Sequence, residues 1–148
     1  MEQREAARVL PHSLEAEKSV LGGMLIAPEG VELACETLRP EDFYLPAHQD
    51  IFSAMLQLYG HSNAVDSVTL IDALERSGKL AAVGGVPYIT ELSLFVPSAA
   101  NISHYIHILE DRSVMRQLIR AGTDIVRDAQ AGERPVEEML DDAERRIF

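Results

Sequence analysis

The sequence predicts an all-α chain, a globular helical bundle followed by a helical hairpin, and three observations lead there. Apolar residues recur at spacings of three and four along almost the whole chain, and no run alternates cleanly at two. Proline, glycine and polar capping residues interrupt these runs at helix-length intervals. Towards the C-terminus one long helical pattern moves its apolar stripe from one side to the other, as a helix does when its two halves pack against different bodies.

Residues 1–12 are expected to form a flexible arm, 13–109 the bundle and 110–148 the hairpin. Ser13 reads as the N-cap of a first helix, with Glu15 and Glu17 favourably placed in its first turn and Leu14, Leu21, Met24 and Leu25 as its buried stripe. Pro28 opens a second helix carrying Val31, Ala34, Cys35 and Leu38 on one face, and Pro40 stops it. Ile51, Phe52, Met55, Leu56 and Tyr59 mark a third, with Gly60 expected in the left-handed position past its end. Asp66 or Ser67 caps a fourth, bearing Leu70, Ile71 and Leu74 and ending at Gly78. A Gly84-Gly85 turn leads into a fifth with Ile89, Leu92 and Val96 inward, closed by Pro97.

Ser98 then caps the long helix, which runs to about Ala131. At ~100° per residue, Ile102, Tyr105, Ile106 and Leu109 share one side. Met115, Leu118, Gly122, Ile125 and Ala129 share nearly the opposite one, expected to face a last helix after Pro135 through Val136, Met139, Leu140, Ala143 and Ile147. Ile119 and Val126 lie on the flank of that seam, where they either widen the hairpin contact or meet a partner. The last helix reaches Phe148 without a capping signal, so the chain is expected to stop within an element.

Composition narrows the function classes. With 47% hydrophobic and 25% charged residues the 148-residue chain has the makings of a globular domain, which excludes a disordered or collagen-like reading. The net charge of −11 opposes broad contact with a phosphate backbone, so direct DNA binding is not expected. Residues 1–98 carry 14 acidic and 6 basic residues and residues 99–148 carry 10 and 7, which concentrates the acidic excess in the bundle. A single cysteine, Cys35, and the lack of a membrane-length apolar run fit a cytoplasmic protein.

No catalytic constellation is present. There is no G-x-x-x-x-G-K-[ST] loop, and Gly22-Gly23 and Gly84-Gly85 fit close packing or turns better than a dinucleotide fingerprint. His48 reads as a polar residue at a helix start, and Asp141-Asp142 and Glu137-Glu138 as a solvated helix surface. Met24, Met55, Met115 and Met139 read as core filling. Arg112, Arg116, Arg120 and Arg127 form a weak basic stripe, better explained by pairing to Glu110, Asp124 and Asp128. The alternative function is a stand-alone helical metal-binding sensor or enzyme, in which His104, His107 and Asp111 offer three ligands on one helix face.

Four segments in order carry a family resemblance. The run Pro11-His12-Ser13-Leu14-Glu15-Ala16-Glu17-Lys18-Ser19-Val20-Leu21-Gly22-Gly23 resembles the opening of the amino-terminal domain of DnaB-family replicative DNA helicases, written P-[HQ]-[SN]-x-E-A-E-x-[SA]-V-L-G. Pro40-Glu41-Asp42-Phe43-Tyr44 with His48 and Ile51-Phe52, Val83-Gly84-Gly85-Val86-Pro87-Tyr88 with Glu91-Leu92, and Pro97-Ser98-Ala99-Ala100-Asn101-Ile102 agree as well.

The resemblance implies the collar of a hexameric, ATP-dependent 5′→3′ DNA helicase, a trimer of dimers joined through these hairpins, that docks primase, with a helicase loader as a further partner. The linker helix and the ATPase motor, with its ATP and magnesium, are expected beyond residue 148, so this fragment is expected to be no enzyme and to hold no cofactor and no metal. By position the resemblance places primase contact at Tyr88, Ile119, Ile125 and Val126, although Ile125 also falls on the hairpin seam. It places self-association at Met115, Leu118, Gly122, Val136, Met139, Leu140, Ala143 and Ile147.

Overall fold

A computed structural model describes residues 9–148. Among these residues the architecture is all-helical, with α1 Leu14–Ile26, α2 Pro28–Thr37, a short 3-10 helix Pro40–Asp42, α3 Pro46–Gly60, α4 Ser67–Arg76, α5 Gly85–Ser93, α6 Ile102–Ala131 and α7 Val136–Ile147. The chain divides into two compact units. One is His12–Ser113, and the other is Val114–Phe148 with the described part of the N-terminal segment up to Pro11. Of the expected arm, residues 1–8 lie outside the described residues.

The first unit is built around α1, which packs against α2, α3 and α5. Ser13 caps it as expected, its hydroxyl accepting the Ala16 N–H at 3.2 Å. Residues on all sides of α1 are buried, including Ala16, Val20, Leu21, Met24 and the polar Glu17 and Ser19. The single stripe expected of an amphipathic helix is therefore absent, and Leu14, expected inward, is 38% exposed. Gly22 and Gly23 let neighbours approach closely. A Cβ on Gly22 would lie 2.4 Å from the Leu92 carbonyl oxygen, and one on Gly23 would lie 3.0 Å from Ile102 Cδ1.

Around α1 the core continues through Phe43 and Phe52, whose ring centroids lie 5.0 Å apart, and through Ile51, Met55, Leu70, Leu74, Ile89 and Leu92. Ile102, Ile106 and Leu109 bring the first part of α6 into it. Asp42 ties the 3-10 helix to α6 by accepting the Arg39 N–H at 2.8 Å and the Ser113 hydroxyl at 2.7 Å. Cys35 is half-buried, and burial, helped by Glu36, pushes its thiol up to about 11.

Local signals set most helix ends. Asp66 accepts the Thr69 N–H at 2.9 Å while Thr69 Oγ1 accepts the Asp66 N–H at the same distance, a reciprocal cap for α4. Gly78, at φ +74°, closes that helix as expected. The end of α3 differs from expectation. Gly60 is its last helical residue, and Ser62 takes the left-handed conformation at φ 59° while Asn63 N–H reaches back to the Leu58 carbonyl at 2.9 Å. The long helix also begins later than expected, because the Ser98 hydroxyl accepts the Ala100 N–H at 3.3 Å and holds a turn ahead of Ile102.

Candidate functional site

The second unit is a helical hairpin whose two helices meet through charge. Arg134, in the connection, donates to Asp128 on α6 at 3.2 Å and to Asp142 on α7, and Arg146 on α7 donates to Asp128 at 2.8 Å. Arg145 adds a looser pair to Asp142 at 3.8 Å. Hydrogen bonding from Arg146 holds the Asp128 carboxyl below its ordinary range, and hydrogen bonding from Arg134 does the same for Asp142. Asp128 therefore pairs across the hairpin rather than with an arginine of its own helix, and Asp142 is no free solvated surface charge. Glu137 and Glu138 in the first turn of α7 and Arg145 and Arg146 in its last turn complement the helix dipole.

Apolar packing inside the hairpin is thin. No residue of α7 is fully buried. A groove of about 390 Å³ is lined by Ile125, Ala129, Val136, Met139, Leu140 and Ala143 among others. Ile125, Met139 and Ala143 are half-buried, which places Ile125 at the groove.

Met115 and Leu118, expected on the seam and in Met115's case as core filling, are instead 44% and 56% exposed, and Gly122 is exposed with open space at its Cβ position. For Met115 and Leu118 the reason is length. The 12 residues of α7 retrace about 18 Å at 1.5 Å per residue, too little to reach the start of the hairpin half of α6. Together with Ile119 and Val126, at 44% and 54% exposure, these residues form a continuous exposed apolar stripe on α6 at spacings of three and four. Val136, Leu140 and Ile147 add exposed apolar surface on α7.

Tyr88, the remaining candidate, sits half-buried on α5 in a cluster that local sequence signals do not reveal. His48 is fully buried; its Nδ1 lies 2.7 Å from Glu17 Oε1 and its Nε2 2.6 Å from the Tyr88 hydroxyl. Buried Glu17 also accepts the N–H groups of Tyr44 at 2.8 Å and Leu45 at 3.4 Å. A carboxylate only accepts, so Nδ1 donates, and in the neutral imidazole Nε2 accepts the phenol proton. Glu17, in the first turn of α1 as expected, is thus also a buried acceptor, and His48, at the start of α3 as expected, is a buried core connector. Burial raises the Tyr88 phenol, with Glu91 and Glu17 adding to it. At the surface of the cluster, Lys18 Nζ lies 5.8 Å from the centre of the Tyr88 ring and 5.5 Å from that of Phe95.

The metal reading is corrected. Among the described residues no three His, Cys, Asp or Glu side chains come together as ligands. His107 pairs with Asp111 at 3.7 Å, while the His104 ring lies edge-on to Tyr105. The basic stripe also breaks up. Arg116 is 2% exposed and donates to the Pro11 carbonyl at 2.9 Å, and Arg127 pairs with Asp124 at 3.5 Å.

With this geometry in place, comparison with known proteins identifies the family. The sequence model described as the DnaB-like helicase N terminal domain matches residues 9–111. The chain is 43% identical over 148 residues to the replicative DNA helicase DnaB of Geobacillus stearothermophilus, covering all of this chain and 33% of that one. It is 42% identical over 141 residues to the replicative DNA helicase DnaC of Bacillus subtilis, covering 95% of this chain and 31% of that one. It thus spans about a third of the length of these curated relatives. The crystal structure of the N-terminal domain of DnaB helicase from Mycobacterium tuberculosis superposes with a TM-score of 0.90 at 42% identity, covering 94% of this chain and 98% of that one. A DnaB-like replicative helicase, described with its interactions with primase, superposes with a TM-score of 0.75 at 26% identity, covering 90% of this chain and 31% of that one. Family match, sequence identity and fold agree, and the chain belongs to the DnaB-like helicase N-terminal domain family.

Proposed function

We propose that this chain is the assembly and docking collar of a hexameric replicative DNA helicase. Its hairpin joins a second copy into a dimer, three such dimers make the ring's amino-terminal tier, and the collar receives primase. The observation that carries this reading is the apolar stripe of α6, Met115, Leu118, Ile119, Gly122 and Val126, exposed on a hairpin that buries no residue of its second helix. Val136, Leu140 and Ile147 extend the self-association surface on α7, with Met139 and Ala143 behind them at the groove.

Primase contact is assigned to Tyr88, Ile119, Ile125 and Val126. The support is the exposure of Ile119 and Val126 on the stripe and the half-exposed Tyr88 ring beside Lys18. A structural neighbour is described with its interactions with primase, and helix-in-groove contact is the mode that such a stripe fits. A helicase loader is a further partner of the same collar.

The parent's 5′→3′ unwinding belongs to an ATP- and magnesium-binding motor. The residues described here do not fit a nucleotide phosphate: Gly22 and Gly23 face Leu92 and Ile102, and no Walker loop occurs. The collar is read as acting by binding, in the cytoplasm; no described helix is long and apolar enough to cross a membrane.

The test is Ile119→Asp in a pull-down against primase, with helicity followed by circular dichroism. Retained helicity with lost binding is the expected result. Undiminished binding overturns the contact assignment.

A further inference from the structure

In the bundle, well away in sequence from α6 and α7, a hollow of about 640 Å³ opens where the α1–α2 elbow meets the end of α3 and the loop before α4. Its volume is that of a ligand or peptide-anchor site. Leu25 and Val31, both buried, lie at its base; Ile26, 40% exposed, and Val65 add apolar wall, and Tyr59 closes one side. The charged residues lining it, Glu32 and Asp66, are both acidic. Glu36, one turn on from Glu32, accepts the Tyr59 hydroxyl at 3.2 Å.

The carboxylates here are not equivalent. Asp66 is occupied as the cap of α4. Glu32 and Glu36 stand four apart on α2 with Glu29 on the same face, a like-charge arrangement that repels itself. No ion pair forms to any of the three among the described residues, although the same chain pairs acids with bases at Asp72, Asp124, Asp128 and Asp142. The negative field is felt by neighbours: burial first and Glu36 second raise both the Tyr59 phenol and the Cys35 thiol.

We propose that this hollow docks a short basic segment of a partner protein, with an apolar side chain seated over Leu25 and Val31 and an adjacent arginine or lysine set against Glu32 and the Tyr59 ring. An apolar hollow alone would accept many ligands. The carboxylates without a basic partner select a cationic one, since a cation removes their repulsion and the half-buried Tyr59 ring lining the hollow offers it a second favourable contact. No residue of the hairpin lines this hollow, and the proposal stands or falls independently of the collar assignment.

The experiment is fluorescence anisotropy of the full chain with a short labelled peptide alternating leucine and arginine. Two comparison peptides replace arginine by glutamate or leucine by serine. Saturable binding of the first peptide alone is expected, weakened at least about tenfold by Glu32→Gln with Glu36→Gln. Ala64→Trp, on the exposed loop lining the hollow, is expected to abolish it by filling the space. Glu137→Gln with Glu138→Gln removes the same charge elsewhere and is expected to leave it intact. The proposal is overturned if wild type does not bind saturably, if the serine peptide binds equally well, or if the α7 pair weakens binding as much as the α2 pair. It is also overturned if Ala64→Trp changes the chain's mass in solution, which would assign the hollow to a second copy.

Discussion

His48 and Tyr88, 40 residues apart in sequence, are joined by a 2.6 Å hydrogen bond with their rings stacked at 10°, and Glu17 holds the far side of the imidazole. The network links α1, α3 and α5 through the fully buried Glu17 and His48 and the half-buried Tyr88. Removing the middle member strands a buried carboxylate and a phenol together. His48→Ala is expected to destabilise the bundle by about 3–5 kcal/mol, and Tyr88→Phe by about 1–3 kcal/mol because only the Nε2 partner is lost. Thermal melts followed by circular dichroism check the order; equal melting temperatures for His48→Ala and wild type would contradict it.

Two glycines make opposite predictions for the same change. At Gly22 an added methyl meets the backbone carbonyl of Leu92 at 2.4 Å, and backbone cannot step aside cheaply. Gly22→Ala is expected to cost about 1–3 kcal/mol. At Gly60 nothing lies within 4 Å of the new methyl and the residue is helical, so Gly60→Ala is expected to stabilise by about 0.5–1 kcal/mol. Urea denaturation of the two variants separates them, and a loss at Gly60 would count against the helix end described here.

The hairpin's charge network sets a pH window. Both Asp128 and Asp142 are held below the ordinary value of 3.8 in the folded chain. A depressed folded value contributes stability that is full above the ordinary value and is lost as pH falls through the folded one. Amide exchange in Val136–Ile147 is therefore expected to accelerate below about pH 3.8, ahead of the amides of α1. Arg134→Ala should open the same helix at neutral pH. Unchanged protection of α7 in both experiments would show that apolar packing alone holds the hairpin.

Signals confined to a few residues were legible in the sequence. Ser13, Pro28, Asp66 and Gly78 set helix ends where expected because each acts on backbone within four residues. Gly60 misled, since Ser62 provides the left-handed residue two positions later. The stripe of α6 showed that the hairpin half has its own apolar face, but not how far α7 extends along it, and so Met115 and Leu118 were placed inside when they are exposed. Longer-range partnerships left no mark. Glu17, His48 and Tyr88 meet across 31 and 40 residues, and Arg134, between α6 and α7, joins the two helices. The family was legible because four ordered motifs together are specific, even though none of them states which side chains face a partner.

The central claim is that Met115, Leu118 and Gly122 on α6 are covered by a second copy of this chain. Light scattering across a concentration series measures it most directly, because a monomer has a mass of 16.3 kDa. The weight-average mass is expected to rise towards twice that value with concentration, and Leu118→Asp with Leu140→Asp should hold it at the monomer while the helical signal is retained. A wild-type mass that stays at 16.3 kDa throughout the series would contradict the claim.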